Sequence, residues 1–337
     1  MTSSRNPLRT AVRRAQAAAA LAVAPAADRR GGSALVDLGI RVERCARAPG
    51  DGARRGVAAV LGRASAPVHW HDGGSGKPLL LLNGWTASGL LWPSDWLADL
   101  EQRHRVLRMD NRGAGWSRSA PAPFTVADLA DDAAAVLRAG GVESAIVLGF
   151  SMGGMVAQEL ALRHPDLVTG LVLVGTRPPA AAHVPGDRHT LAVAMRPPAP
   201  GQSLADHVRA TWSVLAAPGF AATHPEVLDE LVDQVVRRPT PYAGVLAQIR
   251  AVAGWHGAHR CGHIAVPTVV LHGTRDPLMP VGNGMRLARL IPGAKYVELP
   301  GVGHLVIHEA PNAVREALTT LGHRTAAAPL RRTGGVA

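Results

Sequence analysis

The sequence predicts an α/β protein, a mostly parallel sheet flanked by helices, with a helical insertion ahead of one of the last strands. Three observations predict it. From about residue 66, short Leu-rich or β-branched runs alternate with stretches of helical period, several of these runs end on Gly, Asn, Asp or Ser, and one long stretch, 177–258, holds no buried-strand pattern. Alternation of this kind suits a parallel sheet, because each parallel strand needs a crossover to return to the same edge, and helical crossovers cover both faces.

The strand-like runs follow in order. Pro67 to His71 precedes a Gly-Ser-Gly turn, Pro78 to Leu82 ends at Asn83-Gly84, Arg105 to Met109 ends at Asp110, and Ala145 to Phe150 ends at Ser151. Leu171 to Gly175, Pro267 to Leu271 and Tyr296 to Leu299 complete the set, and Val36 to Val42 reads as a possible edge strand. Between them, Val126 to Ala139, Met152 to Arg163, Asn283 to Leu290 and Asn312 to Leu321 carry apolar residues at helical spacing. The stretch 177–258 opens with many prolines and then reads as helices at Leu204 to Leu215, Glu226 to Val236 and Tyr242 to Val252. A helical insertion of this size between core strands is most simply a lid over a site at the strand ends.

Composition bounds the function. The chain has 337 residues, 47% of them hydrophobic and 4% aromatic, enough to bury a sizeable core. No apolar run is long enough for a membrane span, so a soluble protein is expected. The net charge of +11 is concentrated at the ends: residues 1–65 hold 12 Arg against 4 acids, residues 323–337 hold 3 Arg and no acid, and the body between is balanced at 21 basic and 21 acidic side chains. A nucleic-acid-binding core would carry its cations on the folded surface, so neither a nucleic acid nor a membrane is an expected partner. Residues 1–65 read as a basic Ala/Arg-rich extension, partly disordered, residues 66–322 as the folded domain, with 177–258 its helical insertion, and residues 323–337 as a disordered basic tail. Arg13-Arg14 and the run from Ala15 to Ala27 have the layout of a weak export signal. The run is mostly Ala rather than Leu or Ile, so a cytoplasmic protein is expected, with export the alternative. Cys45 and Cys261 are too few and too far apart to form a disulfide framework.

Gly149-Phe150-Ser151-Met152-Gly153-Gly154 stands where an apolar strand gives way to a helix. Gly-x-Ser-x-Gly in that place allows a sharp turn that lifts the serine hydroxyl above the sheet, with the helix N-terminus beside it. A serine hydroxyl needs a general base, and the base needs an orienting carboxylate. Both follow in the order acid, then histidine: Asp276 in Gly273-Thr274-Arg275-Asp276, and His304 in Gly301-Val302-Gly303-His304, each on a loop after a strand. Asn83-Gly84-Trp85-Thr86, after Pro78 to Leu82, supplies a loop whose Trp85 N–H would converge with the Met152 N–H on a developing oxyanion. Asn83, Gly84 and Phe150 are candidate substrate contacts. Phe150, Trp85, Trp212 and Trp255 are candidates to line an apolar pocket, with core packing the expectation for the last two.

With these residues assembled, 66–322 resembles the α/β-hydrolase fold, in the serine-nucleophile branch of 3-oxoadipate enol-lactonases, cofactor-free haloperoxidases and small esterases. Asp110-Asn111-Arg112-Gly113-Ala114-Gly115-Trp116-Ser117 is similar to that family's Asp-x-Arg-Gly-x-Gly-x-Ser loop, and Gly273 to Asp276 to its acid turn. The resemblance implies a mostly parallel eight-stranded sheet, a helical lid before the acid-bearing strand's loop, Ser151, Asp276 and His304 as catalytic triad, and Trp85 and Met152 as oxyanion donors. Where the family usually has His-Gly this chain has Asn83-Gly84, a change also found in intracellular polyhydroxyalkanoate depolymerases.

The expected activity is hydrolysis of a small-molecule carboxylic ester or lactone through an acyl-enzyme. Depolymerase, perhydrolase and acyltransferase chemistry on the same triad are alternatives, and a non-catalytic ligand-binding protein is the alternative of another class. No cofactor is implied. His69 and His71 share a strand face without a third ligand, so no metal site is assigned, and nothing in the sequence fixes an oligomeric state.

Overall fold

The computed structural model describes residues 54–59, 67–118 and 123–327. Their core is one eight-stranded sheet: β1 (Arg54–Ala59), β2 (Pro67–Gly74), β3 (Lys77–Leu82), β4 (His104–Met109), β5 (Ala145–Phe150), β6 (Val168–Val174), β7 (Thr268–Gly273) and β8 (Lys295–Leu299). The spatial order is β1-β2-β4-β3-β5-β6-β7-β8. The pairs β1·β2 and β2·β4 are antiparallel, and all the others are parallel.

Parallel strands buried on both faces cannot alternate apolar and polar residues. Leu79 to Leu82 show why: all four are fully buried. Leu80 and Leu82 face one layer with Val136, Leu137, Val156 and Leu160, from helices α2 (Val126–Ala139) and α3 (Met152–Arg163). Leu79 and Leu81 face the other, with Trp96, Leu97 and Leu100 of α1 (Ser94–Glu101) and Val314 and Leu318 of the last helix. α2 starts where the sequence places it because Thr125 and Asp128 close a reciprocal capping box.

The sheet begins ahead of the expected boundary at residue 66. β1, inside the segment read as an extension, pairs along its length with β2. A strand at the sheet edge needs no two-sided apolar run, so Arg-Arg-Gly-Val-Ala-Ala gave little signal. The strand expected at Val36 to Val42 lies outside the described residues. The last helix also passes its expected end at Leu321, and the domain boundary expected at residue 322, and reaches Ala327.

Between β6 and β7 the chain leaves the sheet for α4 (Arg188–Met195), α5 (Leu204–Leu215), α6 (Phe220–Thr223), α7 (Pro225–Arg237) and α8 (Tyr242–Ala253). α5, α7 and α8 are the three helices expected there. α4 hides among prolines, but Pro185 and Pro197 fall outside its two ends, and Asp187 caps it by accepting from Thr190 N. After β7 come α9 (Gly282–Leu290), α10 (Val306–Glu309) and α11 (Pro311–Ala327).

β3 has β4 on one side and β5 on the other, so the chain switches direction across the sheet there, and the carboxyl ends of the strands open a crevice. Beside it, Arg112 forms a buried two-pronged ion pair with Asp132 of α2, at 2.5 and 2.8 Å. Removing one partner strands a buried charge. Asp132→Ala is expected to lower unfolding free energy by about 3–5 kcal/mol in urea titrations, and the double variant Arg112→Met/Asp132→Leu to recover most of that loss.

Candidate active site

Three loops at the carboxyl ends of β5, β7 and β8 bring Ser151, Asp276 and His304 together. Ser151 sits between β5 and α3 at φ 54° and ψ −117°, a left-handed conformation that a side chain rarely adopts. Strain of this kind costs about 1–3 kcal/mol and persists only where the surroundings enforce it. Here the Ser151 N–H donates to Val174 O at 2.9 Å, and its carbonyl accepts from Thr176 Oγ1 at 2.7 Å. Close packing completes the turn: a Cβ on Gly153 would lie 2.0 Å from the carbonyl oxygen of Leu82.

His304 Nε2 is 3.1 Å from Ser151 Oγ, and its Nδ1 is 2.7 Å from Asp276 Oδ2. A carboxylate only accepts, so Nδ1 carries the proton and Nε2 is left to accept from the serine hydroxyl. All three side chains are buried. Asp276 Oδ1 accepts from the N–H groups of Leu278 and Met279 at 3.0 and 2.7 Å, which fixes the carboxylate plane. Burial alone would raise the Asp276 carboxyl, but the charge of His304 and the hydrogen bonds from His272 and His304 outweigh it and hold it below the ordinary value. The ring of Phe150 lies 5.2 Å from that of His304, tilted against it.

Gly84, Trp85, Phe150, Ser151 and His304 line a mainly apolar cavity of about 260 Å³, whose far wall is built by the insertion, including Val208, Trp212 and Leu215 of α5 and Val245 of α8. The Trp85 indole donates to Val245 O at 3.2 Å, joining the loop after β3 to that wall. Met152 is the first residue of α3; its side chain packs in the core and it is not among the residues that line the cavity.

Asn83, a candidate substrate contact, is buried and does not line the cavity; its amide donates to Met109 O at 2.9 Å. An amide at the end of a central strand finds the neighbouring strand's carbonyl first. Trp212, expected in the core, packs against the buried cluster of Ala87, Leu91, Leu215 and Leu231 and also lines the cavity. Trp255 does pack inside, donating to Glu159 and lying under Arg177.

Sequence reasoning missed the supports. Thr176 lies two residues after β6, and its place beyond a buried strand was the available signal. His272 donates to Met279 O at 2.5 Å and lies 3.5 Å from Asp276 Oδ2, which holds the acid's turn from behind. Gln248 of α8 accepts from Thr86 N at 2.8 Å and donates to Arg112 O at 2.8 Å, and no local pattern announces a contact between residues so far apart in sequence. Among the described residues no three His, Cys, Asp or Glu side chains converge as metal ligands.

Residues 77–311 match the model of the alpha/beta hydrolase fold family. With that match over most of the chain, and the fold and site above, the protein belongs to the α/β-hydrolase family and is an α/β-hydrolase enzyme. It is similar to a candidate carbamate hydrolase, RutD, of Azorhizobium caulinodans, at 30% identity over 75% of this chain and 94% of that one. Among solved structures it is similar to the esterase RhEst1 of Rhodococcus sp. ECU1013, at 27% identity and a TM-score of 0.68, over 80% of this chain and 98% of that one. It is also similar to the enol-lactonase of Burkholderia xenovorans LB400, at 25% identity and a TM-score of 0.67, over 79% of this chain and 99% of that one.

Two outcomes follow from the geometry. Gly153→Ala forces the turn apart, so folded protein is lost, or phosphonylation of Ser151 by a fluorophosphonate slows by about 100-fold or more, as expected for a displacement near 1 Å. The depressed Asp276 carboxyl favours the folded state fully above its ordinary 3.8, and that contribution is lost only as pH falls through the lower folded value. Asp276→Asn should therefore be less stable than wild type in urea at about pH 7, with the gap narrowing at about pH 3.

Proposed function

We propose that this enzyme hydrolyses a small carboxylic ester or lactone through an acyl-enzyme formed on Ser151. The observation that carries the reading is the hydrogen-bonded chain from Ser151 Oγ through His304 to Asp276. His304 Nε2 takes the hydroxyl proton as Ser151 attacks the carbonyl, and Asp276 holds the imidazole and stabilises its cation. The leaving oxygen takes that proton, and water activated by His304 then releases the acid. The N–H groups of Trp85 and Met152 bind the oxyanion, a role worth about 10²- to 10³-fold in rate per donor.

The helices from α4 to α8 act as a lid. Their wall over Ser151 is mostly apolar, with Arg196, His207, Thr211, Thr240 and Tyr242 its polar members, which favours an acyl group over a free polar chain, and the cavity falls under the roughly 300–1,000 Å³ of pockets for drug-sized ligands. The kinship with an esterase and an enol-lactonase supports the ester or lactone reading over carbon–halogen chemistry. We place the enzyme in the cytoplasm, on the Ala-rich character of the run from Ala15 to Ala27.

The test is a panel of p-nitrophenyl esters from acetate to dodecanoate. Wild type should favour the short acyl groups, and Ser151→Ala should lower kcat by about 10⁴-fold or more on its best substrate. Folded wild type that cleaves none of them, or Ser151→Ala with unchanged kcat, removes the proposal.

A further inference from the structure

Three observations converge on the chain either side of His304. The Glu309 carboxylate accepts three backbone N–H groups: Gly303 at 2.8 Å and Ala217 at 3.1 Å on Oε2, and Leu305 at 3.0 Å on Oε1. Gly303 and Leu305 are the two neighbours of His304, and Ala217 belongs to the insertion, just beyond α5. The His304 N–H itself donates at 2.9 Å to the carbonyl of Leu215, the last residue of α5. Finally, a Cβ on Gly303 would lie 2.2 Å from the nitrogen of Ala217, so the insertion's backbone rests directly on the loop that carries the imidazole.

A loop beyond the last strand has no ladder to hold it, so its shape depends on such contacts. Hydrogen bonds to a charged acceptor are the strong ones, and three donors on one carboxylate fix the Gly303 and Leu305 peptides on opposite sides of the residue between them. Burial pushes the Glu309 carboxyl up, against the pull of those donors and of His304, which marks a carboxylate kept partly dry for the sake of these bonds.

Resting on the reading of Ser151, His304 and Asp276 given above, we propose that Glu309 is a positioning residue. It aligns the His304 imidazole by clamping the N–H groups of both neighbouring residues, and through Ala217 it makes that alignment depend on a seated lid. Lifting the lid removes Leu215 O and Ala217 N from the base loop together, so the base is best aligned when the cavity is closed to water. Glu309→Gln presents one carbonyl oxygen and an NH₂ group to three donors and cannot hold them. Ala217→Pro deletes the N–H that ties the lid to Glu309 and sets the ring's Cδ against that carboxylate, while the bond from His304 N–H to Leu215 O stays in place.

Both variants are made in the full-length chain and assayed with p-nitrophenyl butyrate, with kcat expressed per Ser151 labelled at completion by a fluorophosphonate, so that unfolded molecules are not counted. Glu309→Gln is expected to lower kcat by about 10-fold or more with KM within about twofold, and to slow labelling of Ser151 in parallel, as loss of orientation at the base requires. Ala217→Pro is expected to raise KM severalfold with a smaller fall in kcat. A Glu309→Gln enzyme that melts earlier but turns over at the wild-type kcat per labelled site makes Glu309 a loop brace only and overturns the proposal. If Glu309→Gln yields no folded protein, Glu309→Asp, one methylene short of the same bonds, is read by the same criteria. Wild type that is neither labelled nor active overturns the reading of the site and this proposal with it, whereas labelled wild type beside an unaffected Glu309→Gln overturns the proposal alone.

Discussion

A single residue held in the wrong half of conformational space organises this molecule. Ser151 at φ 54° is possible only because β5 ends fully buried, Thr176 and Val174 hold its peptide groups, and Gly153 lets α3 press against the carbonyl of Leu82. Strain of about 1–3 kcal/mol is small against the burial of the strand and helix on either side. The reward is a hydroxyl fixed at the carboxyl edge of the sheet, at the N-terminus of a helix, where the loops after β7 and β8 can reach it.

The groups that reach it are held as firmly. Asp276 has its plane set by two backbone donors and its back by His272, while His304 hangs on a loop gripped by Glu309 and the insertion. Precision here comes from backbone hydrogen bonds to carboxylates rather than from surface ion pairs, which solvent would weaken. The insertion therefore builds two things: the mostly apolar wall of the cavity, and part of the frame around the imidazole.

Much of this was legible in the sequence, for a physical reason. Gly149 to Gly154 carries its own signature because the turn tolerates few residue types, and Leu79 to Leu82 announces a buried parallel strand because both of its faces are covered. Asp276 and His304 were legible from their places after strands. The rest was not. β1 pairs at an edge, and its six residues have no apolar period to betray it. Asn83 looked like a site residue because it follows a strand next to Gly84, yet the nearest carbonyl claimed its amide. That Trp212 also lines the cavity was not legible, because the direction a helix of the insertion faces is set by tertiary contact, and Gln248, His272 and Glu309 act through partners distant in sequence or behind the residues that carry the motif.

The most direct measurement is to trap the covalent intermediate. Protein quenched in acid during steady-state turnover of p-nitrophenyl butyrate, then digested and analysed by mass spectrometry, is predicted to carry a butyryl group on the peptide that contains Ser151 and on no other, and Ser151→Ala to carry none. An active enzyme that shows no acyl group at Ser151 under those conditions, or the same modification in the Ser151→Ala variant, would contradict the account.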